Sequence, residues 1–267
     1  MIIQHNISSM NTNRQLGIVG GNLAKSTEKL SSGYRINRAG DDAAGLSISE
    51  KMRGQVRGLQ RASDNAQDGI SLIQTAEGAM DQQHAILQRA RELAVQASND
   101  TNVTADRNAI SEELSALESE FKRIADQTEF NTMKLLNGDF KNKNLQVGAN
   151  KSQAIAVTID KTSMQTISNK VASHGTATAA IKSMDDDITA LSTTRSKLGA
   201  LQNRLEYTVK NDDNAAENIQ ASESRIRDVD MADEMTRYSK ESILQQAATS
   251  MLAQANQSGQ NVLSLLR

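Results

Sequence analysis

The sequence contains no cysteine, no proline and no tryptophan, and only three tyrosines and three phenylalanines among 267 residues. Without cysteine there can be no disulfides, thiolate metal sites or thiol nucleophiles. The scarcity of aromatic rings leaves Leu, Ile, Val, Met and Ala to fill any core, which argues against a compact enzyme. Average usage would place roughly 13 prolines in such a chain. The absence of this helix breaker therefore predicts a mainly α protein with long helices.

The sequence also lacks a strong excess of either charge and a long hydrophobic run. The formal net charge is −2 with 23% charged residues, so no basic face predicts binding to nucleic acid. No apolar run approaches the ~18 residues of a membrane span, which argues against membrane insertion. The first residues have neither the basic nor the apolar region of a cleavable secretion signal. We therefore expect any export to use another route.

Apolar residues at helical spacing mark both ends of the chain. Near the start, Leu16, Leu23 and Leu30 recur every seven residues. A second stripe runs through the last helix, at Leu244, Ala248, Met251, Ala255, Val262, Leu265 and Leu266. Polar residues flank both stripes, so neither segment can form a core by itself. Assembly through paired terminal helices is the first hypothesis.

The interior of the chain follows a helical period, interrupted once. Apolar residues three and four positions apart predict helices over 41–98, 104–128 and 176–225. Turn residues between 130 and 160 predict a small β-hairpin region. We expect an elongated antiparallel helical bundle with heptad packing, with the N- and C-terminal helices paired as a coiled coil. The predicted domains are an N-terminal helix (1–40), a rod domain (41–225) and a C-terminal helix (226–267).

A joint is predicted between the first two helices. Gly33 and Gly45 would supply backbone freedom there. Asp41 and Asp42 could act as paired carboxylates or hold a cation, but no His, Cys or third acid lies at a ligand-like spacing. We therefore interpret the two aspartates as caps of the second helix.

No catalytic, cofactor or metal site is predicted. His5, His84 and His174 lie far apart and outside any zinc motif. The acidic run Asp185–Asp187 lacks the alternate spacing, glycine and closing glutamate of a calcium loop. We interpret it as the solvated first turn of a helix.

Several strings, in order, resemble one family, the bacterial flagellins, which form the flagellar filament. They are Leu30–Asn37 (LSSGYRIN), Asp41–Gly45 (DDAAG), Asn65–Ser71 (NAQDGIS), Arg91–Gln96 (RELAVQ), Gln146–Asn150 (QVGAN), Leu252–Gln257 (LAQANQ) and Asn261–Arg267 (NVLSLLR). The likeness covers nearly the whole chain. The variable outer region that many flagellins insert near mid-chain is missing, so the chain resembles a short form.

The resemblance implies a structural subunit that self-assembles into the filament for swimming motility. It implies export by the flagellar type III route to the cell exterior, with the terminal helices in the inner filament layer. The implied partners are further copies of the chain, an export chaperone on the C-terminal helix, the filament cap and the host Toll-like receptor that senses flagellin. The alternative is an adaptor or hook–filament junction protein that binds partner helices without polymerising.

The family's receptor contacts correspond to Arg89, Leu93 and Glu113 here, beside Arg91 and Glu92. An arginine with an exposed leucine one turn later would make an interface anchor. The same surface could instead pack between subunits of the filament.

Overall fold

The structure is a computed structural model that describes residues 6–168 and 171–265, with side chains for 6–168 and 171–258. Its described part contains five helices, α1 (Ile7–Ser32), α2 (Ala43–Ala97), α3 (Thr104–Gln127), α4 (His174–Arg227) and α5 (Met231–Leu265). The predicted mainly α class with helix–helix packing is confirmed. The bounds of α2, α3 and α4 lie within two residues of those expected from the sequence. No helix in these ranges is long and apolar enough to cross a membrane.

Two short antiparallel hairpins separate α3 from α4, which confirms the expected β region. Strands β1 (Glu129–Phe130) and β2 (Met133–Lys134) form the first hairpin, and β3 (Lys143–Gln146) and β4 (Ala154–Val157) form the second. In the second hairpin Leu145 lies opposite Ile155. Ile155 and Val157 are buried whereas their neighbours in β4 are exposed, so one face of this hairpin packs on the core.

The chain divides into two compact units. The central unit comprises residues 55–217, and the terminal unit comprises the residues up to Gly54 together with those from Asn218 onward. The domain boundaries expected from the sequence, at 40/41 and 225/226, both fall inside the terminal unit.

The central unit has a continuous apolar core. In α4 a seven-residue repeat places Met184, Leu191, Leu198 and Leu205 in the interior. Leu114 of α3 is also fully buried in this core. Other fully buried members include Ile73, Met80, Leu87, Leu135, Leu136, Ile159 and Ile167. The aliphatic and methionine side chains thus replace the missing aromatic rings.

The interpretation of Asp185–Asp187 as a first helical turn is wrong. Helix α4 begins at His174, eleven residues before Asp185. The Asp185 carboxylate accepts a 2.6 Å hydrogen bond from Arg91 Nε on α2. The Asp187 carboxylate accepts one of 2.8 Å from the backbone N–H of Gln165. The acidic run therefore ties α4 to its neighbours.

Candidate functional site

Helices α1 and α5 pack side by side in the terminal unit and form its candidate assembly site. Three side-chain hydrogen bonds join them, from Asn6 Nδ2 to the carbonyl oxygen of Ala255 at 2.9 Å, from Ser9 Oγ to Asn256 at 2.7 Å and from Ser26 Oγ to Glu234 at 2.6 Å. Since residues early in α1 meet residues late in α5, the two helices are antiparallel. The predicted pairing of the terminal helices is confirmed.

The predicted α1 stripe lies on the partly covered side of its helix. Leu16, Leu23 and Leu30 are all half-buried. Val19 and Ser26 fall between them at spacings of three and four residues, and they too are covered. This series is the seven-residue pattern of a coiled-coil seam.

The covered series of α5 differs from the predicted stripe. Side chains that are buried or half-buried at alternating spacings of four and three residues are Glu234, Tyr238, Glu241, Gln245, Ala248, Leu252 and Ala255. Ala248 and Ala255 of the predicted stripe belong to this series. Leu244 and Met251 do not, being 41% and 61% exposed. The side chains of Val262 and Leu265, and the whole of Leu266, lie outside the described residues.

The seam between α1 and α5 is therefore rich in polar groups. Ser26 and Glu234 are only 6% and 5% exposed, and their hydrogen bond satisfies one carboxylate oxygen. The other oxygen lies 3.7 Å from Arg237 Nη1. Glu241 follows Glu234 by one heptad and its Oε2 atom is buried without a hydrogen-bond partner among the described residues. The stripe expected from the sequence did not include this polar seam, although the spacing of 234, 238 and 241 could have predicted it.

Other apolar side chains of the terminal helices lie outside this seam. Several large ones are exposed, and we call them the outer apolar set: Ile7, Met10, Ile18, Met231, Met235, Ile243, Leu244 and Met251. Exposed apolar side chains that lie together mark interaction surfaces, so the faces that carry this set are candidates for such a surface. The terminal unit thus leaves much of its apolar area uncovered within one chain.

The predicted joint is a tightly built turn. Gly33 adopts the left-handed conformation with φ of +74° and donates a 2.9 Å hydrogen bond to the carbonyl oxygen of Lys29, which ends α1. Asp42 Oδ1 accepts a 2.8 Å hydrogen bond from the Gly45 N–H and so caps α2. A Cβ atom at Gly45 would overlap the Asp42 carboxyl and the Ile36 side chain. Gly45 therefore provides space for close packing, rather than the backbone freedom that we expected.

Asp41 has a different role from Asp42. Its carboxylate accepts hydrogen bonds from the backbone N–H groups of Arg38 at 3.0 Å and Asn37 at 3.1 Å. These two bonds lower the pKa of the Asp41 carboxyl. Asp41 thus closes the turn in which it lies.

Arg227 links this joint to the connection between α4 and α5. Its Nη1 donates a 2.6 Å hydrogen bond to Glu50, which lowers the pKa of that carboxyl. Its guanidinium lies 4.8 Å from the centre of the Tyr34 ring. Backbone hydrogen bonds add to the link, from Arg35 N to the Arg227 carbonyl oxygen at 2.6 Å and from Val229 N to that of Gly33 at 3.0 Å. No local pattern predicts these contacts, because they join segments almost 200 residues apart.

The candidate receptor residues of the central unit form a charged surface. Arg89 donates hydrogen bonds to Glu113 at 3.0 and 2.9 Å and to Glu92 at 3.2 Å. These three side chains are about half exposed or more. Arg91 is also exposed and pairs with Asp185. Leu93 is only 2% exposed and belongs to the core, so the expectation of an exposed leucine anchor is wrong.

The histidines do not converge. His84 Nε2 lies 2.9 Å from the Gln88 amide nitrogen, and His174 Nδ1 lies 2.6 Å from the carbonyl oxygen of Ser98. His5 lies outside the described residues. Within the part of the chain that the structure describes, no three His, Asp or Glu side chains are grouped so that they could hold a metal ion.

Comparisons with known proteins agree with the sequence motifs. The family model for the bacterial flagellin N-terminal helical region matches residues 3–141, and that for the C-terminal helical region matches residues 181–266. The chain is 56% identical to a flagellin of Halalkalibacterium halodurans and 49% identical to one of Bacillus subtilis. It is 47% identical to the flagellar filament 33 kDa core protein of Treponema phagedenis. Each of these three alignments covers all of both chains.

Proposed function

The chain belongs to the bacterial flagellin family, and we propose that its terminal unit joins neighbouring copies in the flagellar filament. Membership of this family makes the chain a structural filament subunit. The observation that carries the proposal is the contrast between the polar seam of α1 and α5 and the exposed apolar side chains around it. A structural subunit of this kind works by self-polymerisation.

Burial of the outer apolar set against neighbouring copies of the chain would be favourable in free energy. Full burial of a Leu, Ile or Met side chain is worth about 1.5–3 kcal/mol. Only Leu16, Val19, Leu23 and Leu30 provide large aliphatic contacts on the α1 side of the seam. Further burial of Ile18, Ile243 or Leu244 must come from another chain. Polymerisation would bury these side chains and, by the same contacts, stabilise the paired helices.

The finer parts of the proposal follow the family. We assign 1–40 and 226–267 to the inner filament layer and 41–225 to the layer around it. The chain would leave the cell by the flagellar type III route and assemble outside it beneath the filament cap. The exposed side chains of α5 would be available to an export chaperone before assembly. The exposure of Leu244 and Met251 supports a chaperone site on α5, because α1 does not cover these side chains.

Seeded polymerisation tests the proposed role of the terminal unit. Purified chain is mixed with short filament fragments and followed by electron microscopy. The variant Leu244→Glu should fold, because Leu244 is exposed, but it should not elongate the seeds. Gln246→Glu is the matched control, since it adds the same charge to an exposed position of α5 two residues later. A variant lacking residues 261–267 should likewise fail to polymerise.

The experiment also separates the proposal from its alternative. Elongation by Leu244→Glu at the unmodified rate would remove the outer apolar set from the assembly mechanism. Small complexes of defined size from the unmodified chain would favour the adaptor or hook–filament junction protein, because such a protein binds partner helices without polymerising.

A second role, as a ligand of the flagellin-sensing Toll-like receptor, is supported by the exposed cluster of Arg89, Glu92 and Glu113. Arg89→Ala should weaken binding of the monomer to the receptor ectodomain. Arg123→Ala is the control, because Arg123 forms a similar exposed ion pair with Glu120. Leu93→Ala is not suitable as a test, since it would open a cavity in the core. Equal binding by both arginine variants would argue against this surface as the receptor site.

A further inference from the structure

The terminal unit is unusual in where it places methionine. Met10, Met231, Met235 and Met251 all lie in this unit and are between 49% and 67% exposed. In the central unit Met80 and Met184 are fully buried, and Met133 of the first hairpin is 39% exposed. The outer apolar set therefore consists half of thioether side chains, which are the apolar groups most open to chemical change.

We propose that these four methionines form an oxidation-sensitive site, which we call the methionine set, and that their conversion to sulfoxide by a peroxide blocks incorporation of the chain into a filament. The inference rests on the proposed assembly role of the terminal unit. It adds a modification site and its chemical class of co-substrate to that role.

The reaction needs only the thioether and the oxidant. The sulfur lone pair attacks one peroxide oxygen and forms the S–O bond while the O–O bond breaks. The proton on the attacked oxygen passes to the leaving oxygen. Sulfur is oxidised by two electrons, and the peroxide is reduced to water or an alcohol. Exposure decides which methionines react, because the oxidant must reach the sulfur. The four members of the set meet this requirement, while Met80 and Met184 do not.

The product is poorly suited to an apolar contact. A sulfoxide replaces a flexible apolar side chain with a polar, chiral one, which disrupts methionine-rich interfaces. Within a single chain these side chains project to solvent, so their oxidation should leave the α1–α5 seam intact. The covered positions of the seam, among them Ser26 and Glu234, include no methionine. The damage should therefore appear on assembly and not on folding.

The same geometry predicts protection by assembly. Neighbouring copies that cover the outer apolar set would also shield its sulfur atoms from peroxide. Unassembled chains would then be sensitive and filaments resistant. Methionine sulfoxide reductases reverse the modification, so the blocked chain should recover its ability to elongate seeds.

The test compares oxidised and untreated monomers in seeded polymerisation. Dilute hydrogen peroxide is applied to the full-length chain, and peptide mass spectrometry reads the sulfoxide at each methionine. We expect sulfoxide at the four positions of the methionine set, a critical concentration raised about ten-fold or more, and an unchanged circular dichroism spectrum. A tenfold change corresponds to about 1.4 kcal/mol of assembly free energy. Treatment with the two methionine sulfoxide reductases should restore assembly.

Matched variants identify the responsible sulfur atoms. The variant with Met→Leu at positions 10, 231, 235 and 251 should assemble after peroxide treatment as it does before. Met133→Leu is the control, since Met133 is an exposed methionine of the first hairpin, and it should give no protection. Pre-formed filaments should show little sulfoxide at the four positions.

Three outcomes would overturn the inference. Oxidised wild type, with sulfoxide verified at the four positions, could assemble at the untreated critical concentration. The four-position leucine variant could lose assembly on peroxide treatment as the wild type does. If that variant does not assemble even before treatment, the rescue of oxidised wild type by the reductases becomes the deciding measurement, and failure of that rescue contradicts the inference. If untreated wild type does not polymerise, both the proposed function and this inference are wrong. If it polymerises normally and oxidation has no effect, only this inference is wrong.

Discussion

The central and terminal units use the same heptad spacing, but the terminal unit places more polar residues at the covered positions. In the central unit the repeat of α4 buries Met184, Leu191, Leu198 and Leu205. In the terminal unit the covered repeat of α5 begins with Glu234, Tyr238, Glu241 and Gln245. The central unit thus completes an apolar core within one chain, whereas the terminal unit mixes polar and apolar side chains in its seam and exposes further apolar side chains. The spacing specifies which residues share a face, and the residue types decide whether that face is used within or between chains.

The largest effect should come from a matched pair of leucine truncations. Leu114→Ala in the central core should lower the free energy of unfolding by about 2–5 kcal/mol, because it removes buried methyl groups and leaves a cavity. Leu244→Ala in the terminal unit should change the stability of the monomer by less than about 0.5 kcal/mol, since its side chain is exposed. Urea unfolding followed by circular dichroism measures both.

Equal losses from Leu114→Ala and Leu244→Ala would contradict the difference between the two units. They would mean that Leu244 is covered within the monomer. In seeded assembly, Leu244→Ala should reduce elongation more than its small effect on monomer stability predicts.

An intermediate effect is expected where the terminal unit buries its polar pair. Ser26→Ala removes the hydroxyl that donates to Glu234 and leaves a buried carboxylate oxygen without that bond. Loss of one partner of a buried hydrogen bond costs about 1–3 kcal/mol. Hydrogen exchange of the α1 and α5 backbone amides should show the loss as faster opening of the seam.

Ser31→Ala provides the control for the Ser26 substitution. Ser31 lies on the same helix, is exposed and should be replaceable at little cost. If both variants left exchange in α5 unchanged, the seam would depend on its few leucines and not on the polar pair.

Much of the fold could be predicted from the sequence because the signals were local. The absence of proline and the three- and four-residue spacing placed α2, α3 and α4 within two residues of their observed ends. The turn residues around Gly138 and Gly148 located the hairpins. The pairing of α1 with α5 followed from unpartnered stripes at both ends.

The wrong predictions concern side chains whose burial depends on tertiary contacts. The residues Leu244, Ala248, Met251 and Ala255 lie on two adjacent faces of α5. Only the position of α1 shows that Ala248 and Ala255 are on the covered face. Leu93 was expected at the surface because the family's receptor contacts correspond to it, yet its side chain is buried in the core. The link through Arg227 joins distant segments, so no local pattern could predict it.

The smallest expected effect is on the pH dependence of stability. Substitution of one aspartate in each unit should change this dependence with opposite signs. Asp212 continues the α4 repeat of Leu198 and Leu205, and it is buried there. Burial, and after it the charge of Asp213, raises the pKa of Asp212 above its ordinary value near 3.8. Such a group contributes stability that is fully present below the ordinary value and is lost as pH rises through the folded-state pKa. Asp212→Asn should therefore be more stable than wild type near neutral pH, and its advantage should shrink on acidification.

Asp41 should show the reverse dependence in the terminal unit. Hydrogen bonds from the backbone N–H groups of Arg38 and Asn37 lower its pKa, so its contribution is present above its ordinary value and is lost as pH falls through the folded-state pKa. Asp41→Asn should thus be less stable than wild type near neutral pH and should approach it in acid. Urea midpoints measured from about pH 3 to pH 7 test both variants. Curves that shift in the same direction would show that net charge controls the response, because the two substitutions change net charge equally and differ only in what surrounds each carboxyl.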